Sequence, residues 1–546
     1  MNNLMSTTIC LFLFLFCCTL NAQNETFVRT QLGFNNFLNR PWDLNYGPDD
    51  YLWVTERERG VVVRVDLITA ERDELISLSD VYSDAGQDGL LGLAIHSDLL
   101  GDNPYVYLSY TYLVDGQRKQ KIVRYTYEID GKNGSLSAPM ILIDSLPSSN
   151  DHNSGRLIFG PDQKLYYSIG DQGGNQNRNF CNPILSQVLP TQEEIDVQDW
   201  TNYPGKILRL NLDGSIPEDN PTLNGVKSHI YSYGHRNPQG LIFGSNGLLY
   251  SNEHGPNTDD EVNLLTSGDN YGWPNVVGFL DDQAYDYCNW SSASNCPDLD
   301  YQNGACPDNA TLLEESSFKS DNYREPLFSM FAVTDDYDFN NPICGNAWMC
   351  RPNVAPSSLA IYESNNIPGW QNSLLVTSLK RGRVYRLQLD EEGTAVVGDT
   401  TELFYSQNRY RDIVVAPDGK TFYVITDQTG RTSDKSGLNV ADGLQNPGTI
   451  LKFTLQETVS TDEVSNNNDL RVWPNPASDK LFIEINTRSM QNLQAELITT
   501  TGQILRQYSN LHQGVNEIAL NDLPAGAYFL RAYSKGHIWQ KRVVIH

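Results

Sequence analysis

A short unit recurs along the chain and limits what it can fold into. It reads Gly47-Pro48-Asp49-Asp50-Tyr51-Leu52-Trp53, then Gly160-Pro161-Asp162-Gln163-Lys164-Leu165-Tyr166. It returns as Gly244-Ser245-Asn246-Gly247-Leu248-Leu249-Tyr250 and as Ala416-Pro417-Asp418-Gly419-Lys420-Thr421-Phe422-Tyr423. Each copy is a tight turn that delivers the chain into an apolar, aromatic-bearing strand. Strand-like runs such as Arg156-Leu157-Ile158-Phe159 precede it. A hairpin repeated in this way predicts an all-β fold of blades around an axis. The uneven spacing predicts insertions between blades. The competing account is a set of unrelated hairpins.

At 546 residues the chain exceeds one ordinary core, so a large β domain with a smaller companion is expected. The composition shifts after Leu455: residues 457–469 are polar, with three consecutive asparagines, and read as a linker. A second β-rich unit follows over residues 470–546, of a size that suits a small β-sandwich. It opens with Trp473-Pro474-Asn475-Pro476, alternates through Leu481, Ile483 and Ile485, and closes with Lys541-Arg542-Val543-Val544-Ile545. This tail resembles the C-terminal sorting domain of type IX secretion. The resemblance implies type IX secretion machinery as a partner and export through the periplasm to the cell surface or beyond.

The other end of the chain agrees with export. Residues 1–22 carry an apolar core from Ile9 to Leu20, too short to span a bilayer, and read as a signal peptide, although no Lys or Arg leads it. No other stretch suits a membrane span. The net charge of −28 argues against nucleic acid and anionic membranes as partners. Six cysteines remain beyond the leader, an even number that permits disulfides in an exported chain. Cys344 and Cys350 are close enough in sequence to clip one loop. The pairing of Cys181, Cys288, Cys296 and Cys306 stays open.

Several segments could carry chemistry. His152 lies in Asn150-Asp151-His152-Asn153-Ser154-Gly155, a loop just before a strand, where an imidazole can meet substrate as a general base. Asp171, in Gly170-Asp171-Gln172-Gly173, could fix its tautomer, although turn capping is the commoner use of such an Asp. Basic residues are scarce, so Lys380-Arg381-Gly382-Arg383, Arg409-Tyr410-Arg411 and Arg236 draw notice as a possible pocket for a polyanionic small molecule. Separate surface ion pairs are the plainer alternative. Glu253-His254-Gly255-Pro256-Asn257-Thr258-Asp259-Asp260-Glu261 offers the oxygen ligands that calcium prefers, or is simply a solvated acidic loop.

Together these segments resemble the soluble PQQ-dependent glucose dehydrogenases of the wider glucose/sorbosone dehydrogenase family, from about residue 30 to about residue 456 within a domain spanning 23–456. Gln87-Asp88-Gly89-Leu90-Leu91-Gly92, Tyr271-Gly272-Trp273-Pro274 and Ala355-Pro356-Ser357-Ser358 carry the likeness further. The resemblance implies a six-bladed β-propeller that oxidises an aldose at its anomeric carbon to a lactone, with PQQ and Ca²⁺. It implies His152 as the base, Asp171 as its orienting carboxylate, and Arg236 beside the quinone oxygen with Asn237. Gln87, Asp151, Gln176 and Trp348 would face the sugar. Lys380, Arg409, Arg411 and Asn353 would hold the cofactor. Gly255 and Pro256 would bind one Ca²⁺ through their carbonyls. Glu261, Asp281 and Glu315, the carbonyl of Tyr271 and, less directly, Asp260 match structural calcium positions.

The chain departs from the family pattern at the sugar-facing rim. The Cys344–Cys350 loop is one residue short, Trp348 replaces a tyrosine, Arg351 a tryptophan, and Asn353 a threonine. These changes bear on which sugar is taken, and Arg351 suits an acidic or larger one. The electron acceptor is not identified, and a homodimer is compatible with the resemblance. The alternative of another class is a non-catalytic propeller that binds glycans or proteins, which has no need for His152, Arg236, Lys380, Arg409 and Arg411 together.

Overall fold

The computed structural model describes residues 25–339, 349, 351–456, 470–485, 493–499, 504–512, 514–534 and 537–546. Residues 1–22, expected as a leader, residues 457–469, expected as a linker, and Trp348, Cys344 and Cys350 lie outside the described residues. The chain is mostly β, and its contacts separate Val28–Thr454 from a unit containing the C-terminal tail.

Among its described residues Val28–Thr454 contains six four-stranded antiparallel sheets in chain order. Their first strands are Pro41–Tyr46, Leu90–Ile95, Ser154–Phe159, Pro238–Phe243, Pro356–Tyr362 and Tyr410–Val415. Each of these lies beside the next, and the sixth returns to the first. The sixth sheet is completed by the N-terminal strand Phe27–Leu32, which pairs with the late strand Ile450–Leu455.

The repeated turn joins the first two strands in four of the sheets. Its aspartate ties the turn to the aromatic residue four positions on: Asp49 Oδ1 accepts from Trp53 Nε1 at 2.9 Å, and Asp162 Oδ2 from Tyr166 Oη at 3.0 Å. The aromatics then fill layers between neighbouring sheets. Trp53 packs with Leu93 and Tyr110, Tyr107 with Leu157 and Tyr167, and Tyr250 with Leu359 and Tyr385. A fully buried side chain of this size contributes roughly 1.5–3 kcal/mol.

All six first strands carry a register shift near their beginnings, between Pro41 and Leu44, Leu90 and Leu93, Ser154 and Leu157, Pro238 and Gly240, Pro356 and Ser358, and Tyr410 and Asp412. A bulge bends a strand and re-aims its side chains. Here the bulges gather the beginnings of the strands, and the loops that feed them, around one cavity. Beneath it Arg156 Nη1 pairs with Asp43 Oδ1 at 2.8 Å and Asp412 Oδ2 at 2.7 Å, while its Nε donates to Gln239 O at 2.9 Å. Asp43 in turn receives Leu93 N at 2.9 Å, so this buried cluster links five of the first strands. Burial pushes the Asp43 carboxyl up to about 7 against the pull of Arg156, with Asp412 adding to the rise.

The tail forms a three-stranded sheet (Leu470–Trp473, Lys480–Ile485, Gly514–Ala519) and a four-stranded one (Leu493–Thr499, Ile504–Leu511, Gly526–Ser534, His537–Ile545). Leu481 and Ile483 of the first share a core with Leu497, Leu530, Trp539 and Val543 of the second.

Four cysteines left unpaired by the sequence form two disulfides, Cys181–Cys296 and Cys288–Cys306.

Candidate active site

A cavity of about 600 Å³ opens where the bulged strands begin. Its lining includes seven arginine or lysine residues and three aspartates. His152, Asp151, Gln87, Arg236, Asn353, Lys380, Arg409 and Arg411 all line it, as do Gly255, Pro256 and Asp260. Segments far apart in sequence therefore meet here.

His152 has a φ of 45°, in the left-handed region that disfavours side chains, and Ser154 follows with 54°. Such strain persists where the surroundings enforce it and points to function. The neighbouring strand end must come close: a Cβ on Gly170 would sit 2.1 Å from His152 O. That approach brings Asp171 against the imidazole, with Nδ1 to Oδ1 at 2.7 Å.

The polarity of this pair is fixed from both sides. Asp171 Oδ1 also accepts from Gly173 N at 2.8 Å, and Oδ2 from Trp273 Nε1 at 2.8 Å, so both oxygens are committed as acceptors. His152 Nδ1 then carries the proton. On the other side, Arg236 Nη2 donates to Gln176 Oε1 at 2.8 Å. A guanidinium can only donate, so the Gln176 NH₂ must point the other way. It donates to Asp151 Oδ2 at 3.1 Å and faces His152 Nε2 at 3.0 Å. His152 Nε2 is thus a buried lone pair opening on the cavity, on a residue only 4% exposed.

Arg236 is aimed by Glu253, whose Oε2 accepts from Arg236 N at 2.6 Å and Asn237 N at 3.2 Å. Its Nη1 donates to His254 O at 3.1 Å, and its guanidinium lies 5.2 Å from the centre of the Trp273 ring. Asn237 Nδ2 donates to Gln87 Oε1 at 3.3 Å, and Gln87 Nε2 to Asp151 Oδ1 at 2.5 Å. Gln87, Asp151, Gln176, Arg236 and Asn237 therefore form one polar chain around the His152 base.

The cations sit opposite. Asp427 Oδ1 and Oδ2 accept from Arg411 Nε at 3.1 Å and Nη2 at 3.0 Å, and Oδ2 also from Arg409 Nε at 3.1 Å. Burial alone would raise the Asp427 carboxyl, but the two guanidinium groups outweigh it and hold it at about 2. Lys380 is fully buried, and its Nζ donates to Arg351 O at 2.7 Å and Asn353 Oδ1 at 2.5 Å. Burial pulls its ammonium down to about 7, with Arg381 adding to the fall and Asp260 opposing it. Arg57 lines the same wall.

The acidic loop divides into two roles. Asp260 serves the backbone: Oδ1 accepts from Gly255 N at 3.0 Å, and Oδ2 from Val354 N at 2.5 Å and Ala355 N at 3.0 Å. Glu261 and Glu315 reach a different loop, accepting from Gly278 N at 2.8 Å and Val277 N at 2.9 Å. Asp281 belongs to that loop, and its charge adds to the burial that pushes the Glu315 carboxyl up to about 8. The Tyr271 ring is stacked on His235 at 4.7 Å. Among the described residues no group of three or more His, Cys, Asp or Glu side chains is arranged to hold a metal ion.

Glu253, Trp273, Arg57 and Asp427 were not given roles by the sequence. Glu253 ends a strand and looks there like one more acid of the calcium-like loop. Trp273 stood only as part of a motif. A charge census of strand ends could have found Arg57 and Asp427.

The family model described as Glucose / Sorbosone dehydrogenase matches residues 38–301 and 317–434, and that of the Secretion system C-terminal sorting domain matches 471–546. The chain is 44% identical over 443 residues to quinoprotein glucose dehydrogenase B of Acinetobacter calcoaceticus, covering 79% of this chain and 92% of that protein. It is 27% identical to the aldose sugar dehydrogenase YliI of Escherichia coli K12, over 72% of this chain and 88% of that one. The PQQ-bound aldose sugar dehydrogenase of Streptomyces coelicolor has a similar structure, with a TM-score of 0.52 at 26% identity, covering 79% of this chain and 99% of that one.

Proposed function

Because the chain belongs to the glucose/sorbosone dehydrogenase family, we propose that it is a PQQ-dependent dehydrogenase oxidising the anomeric carbon of an aldose to a lactone. The observation that carries this reading is the aligned set Asp171–His152–Gln176–Arg236, which leaves His152 Nε2 an acceptor, met by the Gln176 amide, at a cationic cavity.

The residues present fit PQQ, a planar quinone tricarboxylate. The cavity carries an excess of cations, and Arg236 Nε and His254 Nε2 are buried without a hydrogen-bond partner. A buried donor left unpaired costs about 1–3 kcal/mol, which a ligand acceptor would relieve. Arg409, Arg411 and Lys380 would pair the carboxylates, with Asn353 and Asn237 beside them. Bound PQQ supplies the acceptor for the hydride leaving the sugar carbon. Gly255 and Pro256 would hold one Ca²⁺ through carbonyl oxygens, and Glu261, Asp281 and Glu315, with the Tyr271 carbonyl, would hold structural calcium. Their hard oxygen donors suit that ion.

His152 Nε2 removes the proton from the anomeric hydroxyl, which first displaces the Gln176 amide from that nitrogen. Asp171 holds Nδ1–H and stabilises the imidazolium formed. Gln87 and Asp151 orient the sugar hydroxyls. Arg236 donates toward the oxygen where negative charge develops, a preorganised stabilisation in a water-poor site.

The six sheets are read as the six blades of a closed propeller, and the tail as a small sandwich that addresses the protein to the cell surface or medium. Reconstitution with PQQ and Ca²⁺, followed by dye reduction across a panel of aldoses, tests the function. Absence of cofactor-dependent reduction with every aldose overturns it.

A further inference from the structure

A second cavity, of about 520 Å³, adjoins the first. Pro256 lines both, and Gln176, whose amide meets His152, lines the second. Its walls are aromatic, with Trp290 and Tyr301 5.2 Å apart and Tyr285 and Tyr287 nearby. Most of these belong to the insertion between the third and fourth strands of the fourth sheet.

That insertion is fastened to the catalytic loop. Cys181–Cys296 ties it to the segment just after Gln176, and Asn175 Nδ2 donates to Cys288 O at 2.7 Å. Cys288–Cys306 closes the insertion on itself. The cavity is therefore held in register with the base.

Arg351 stands where the cavities meet. Its carbonyl receives Lys380 from the first, and its side chain lines the second. With the Asn303 amide turned to suit its neighbours, the Asn303 oxygen accepts from Arg351 Nη2 at 2.7 Å and Nη1 at 3.0 Å. Among the described residues no carboxylate pairs with this half-buried guanidinium, whereas four of the seven cations lining the first cavity have one. A buried guanidinium without a counter-charge favours an anionic ligand. Aromatic walls interspersed with polar side chains, among them Asn175, Asn257, Asp286 and Asn303, suit a sugar ring, whose C–H faces pack on aromatics while its hydroxyls take hydrogen bonds.

The geometry points to the second cavity as a subsite for the next ring of an oligosaccharide, one bearing a carboxylate that Arg351 receives while the reducing-end ring meets His152. This rests on the aldose-oxidation reading for the first ring only. The substrate class is a reducing acidic disaccharide or longer chain.

The full chain, loaded with PQQ and Ca²⁺, is assayed with three sugars sharing one reducing-end aldose: the aldose, its neutral disaccharide, and the disaccharide with a uronic acid as second ring. Calorimetry measures binding of the same sugars. The acidic disaccharide should bind and react about tenfold better than the neutral one, the gain expected from a charge-assisted hydrogen bond. Arg351→Gln should erase that gap, with PQQ affinity as the control that the variant is folded. Tyr301→Ala should weaken both disaccharides but not the aldose. Equal use of acidic and neutral disaccharides, or a gap that survives Arg351→Gln, overturns the proposal, as does an equal loss on all three sugars in Tyr301→Ala. Selective binding of the acidic disaccharide without oxidation of any sugar would uphold the subsite and overturn the dehydrogenase reading instead.

Discussion

The indole nitrogen of Trp273 donates to Asp171 Oδ2 at 2.8 Å, leaving Oδ1 to hold the His152 ring at 2.7 Å. One carboxylate is thereby saturated and oriented, and the base inherits its tautomer from a tryptophan on another loop. Asp171→Asn can present an N–H to Nδ1 and favour the wrong tautomer. Turnover should fall by roughly 10²- to 10⁴-fold with PQQ binding retained. Trp273→Phe, which removes the donor but keeps an aromatic ring beside Arg236, should fall less, by about tenfold. Steady-state kinetics beside a PQQ titration check both.

Arg409 and Arg411 share Asp427, so the three charges behave as a unit. Arg411→Ala should weaken PQQ binding by about 1.5–3 kcal/mol, the worth of hydrogen bonds to a charged group. Asp427→Asn should destabilise the apo protein, because two buried guanidinium groups lose their counter-charge. Calorimetric titration of PQQ and thermal unfolding without it separate the two effects.

His229 sets a pH limit away from the active site. Its Nδ1 meets Tyr203 Oη at 3.0 Å and its Nε2 meets Gly214 O at 3.1 Å. Burial lowers its pKa from 6.5 to about 4, with the Gly214 carbonyl partly opposing. Between those values the unfolded chain binds a proton here that the folded chain does not. Stability therefore rises with pH across this window and is lost as pH falls through it, by up to about 1.4 kcal/mol per pH unit. His229→Gln should flatten that part of the profile in denaturant unfolding measured from pH 7 to 4.

The two disulfides close loops of different length, with sequence separations of 115 and 18. Loop-closure entropy assigns about 4–5 kcal/mol to the longer and about 3 kcal/mol to the shorter. Replacing Cys181 and Cys296 together by serine should lower the unfolding midpoint more than replacing Cys288 and Cys306. Because Cys181 follows the Gln176 loop, the first pair should also raise KM.

The turn unit made four of the six sheets legible. The other two were hidden because Leu90–Ile95 and Pro356–Tyr362 reach their next strands through longer connections without the Gly-Pro-Asp signature. His152 and the arginine clusters were legible as scarce residue types in loops. Asp171 gained meaning only from its partner. Glu253 was not legible, because what distinguishes it is three-dimensional: one buried carboxylate receiving His235, Arg236, Asn237 and Asn263. Cysteine pairing was hidden for the same reason, since Cys288 passes over nearby Cys296 to reach Cys306.

His152 Nε2 is the base on which the proposed oxidation depends. Single-turnover oxidation of an aldose by the PQQ- and Ca²⁺-loaded protein, comparing the native chain with His152→Ala, tests this most directly. The variant should keep PQQ affinity within a few-fold and lose roughly 10²- to 10⁴-fold in the rate of sugar oxidation. An undiminished rate in His152→Ala would contradict that role.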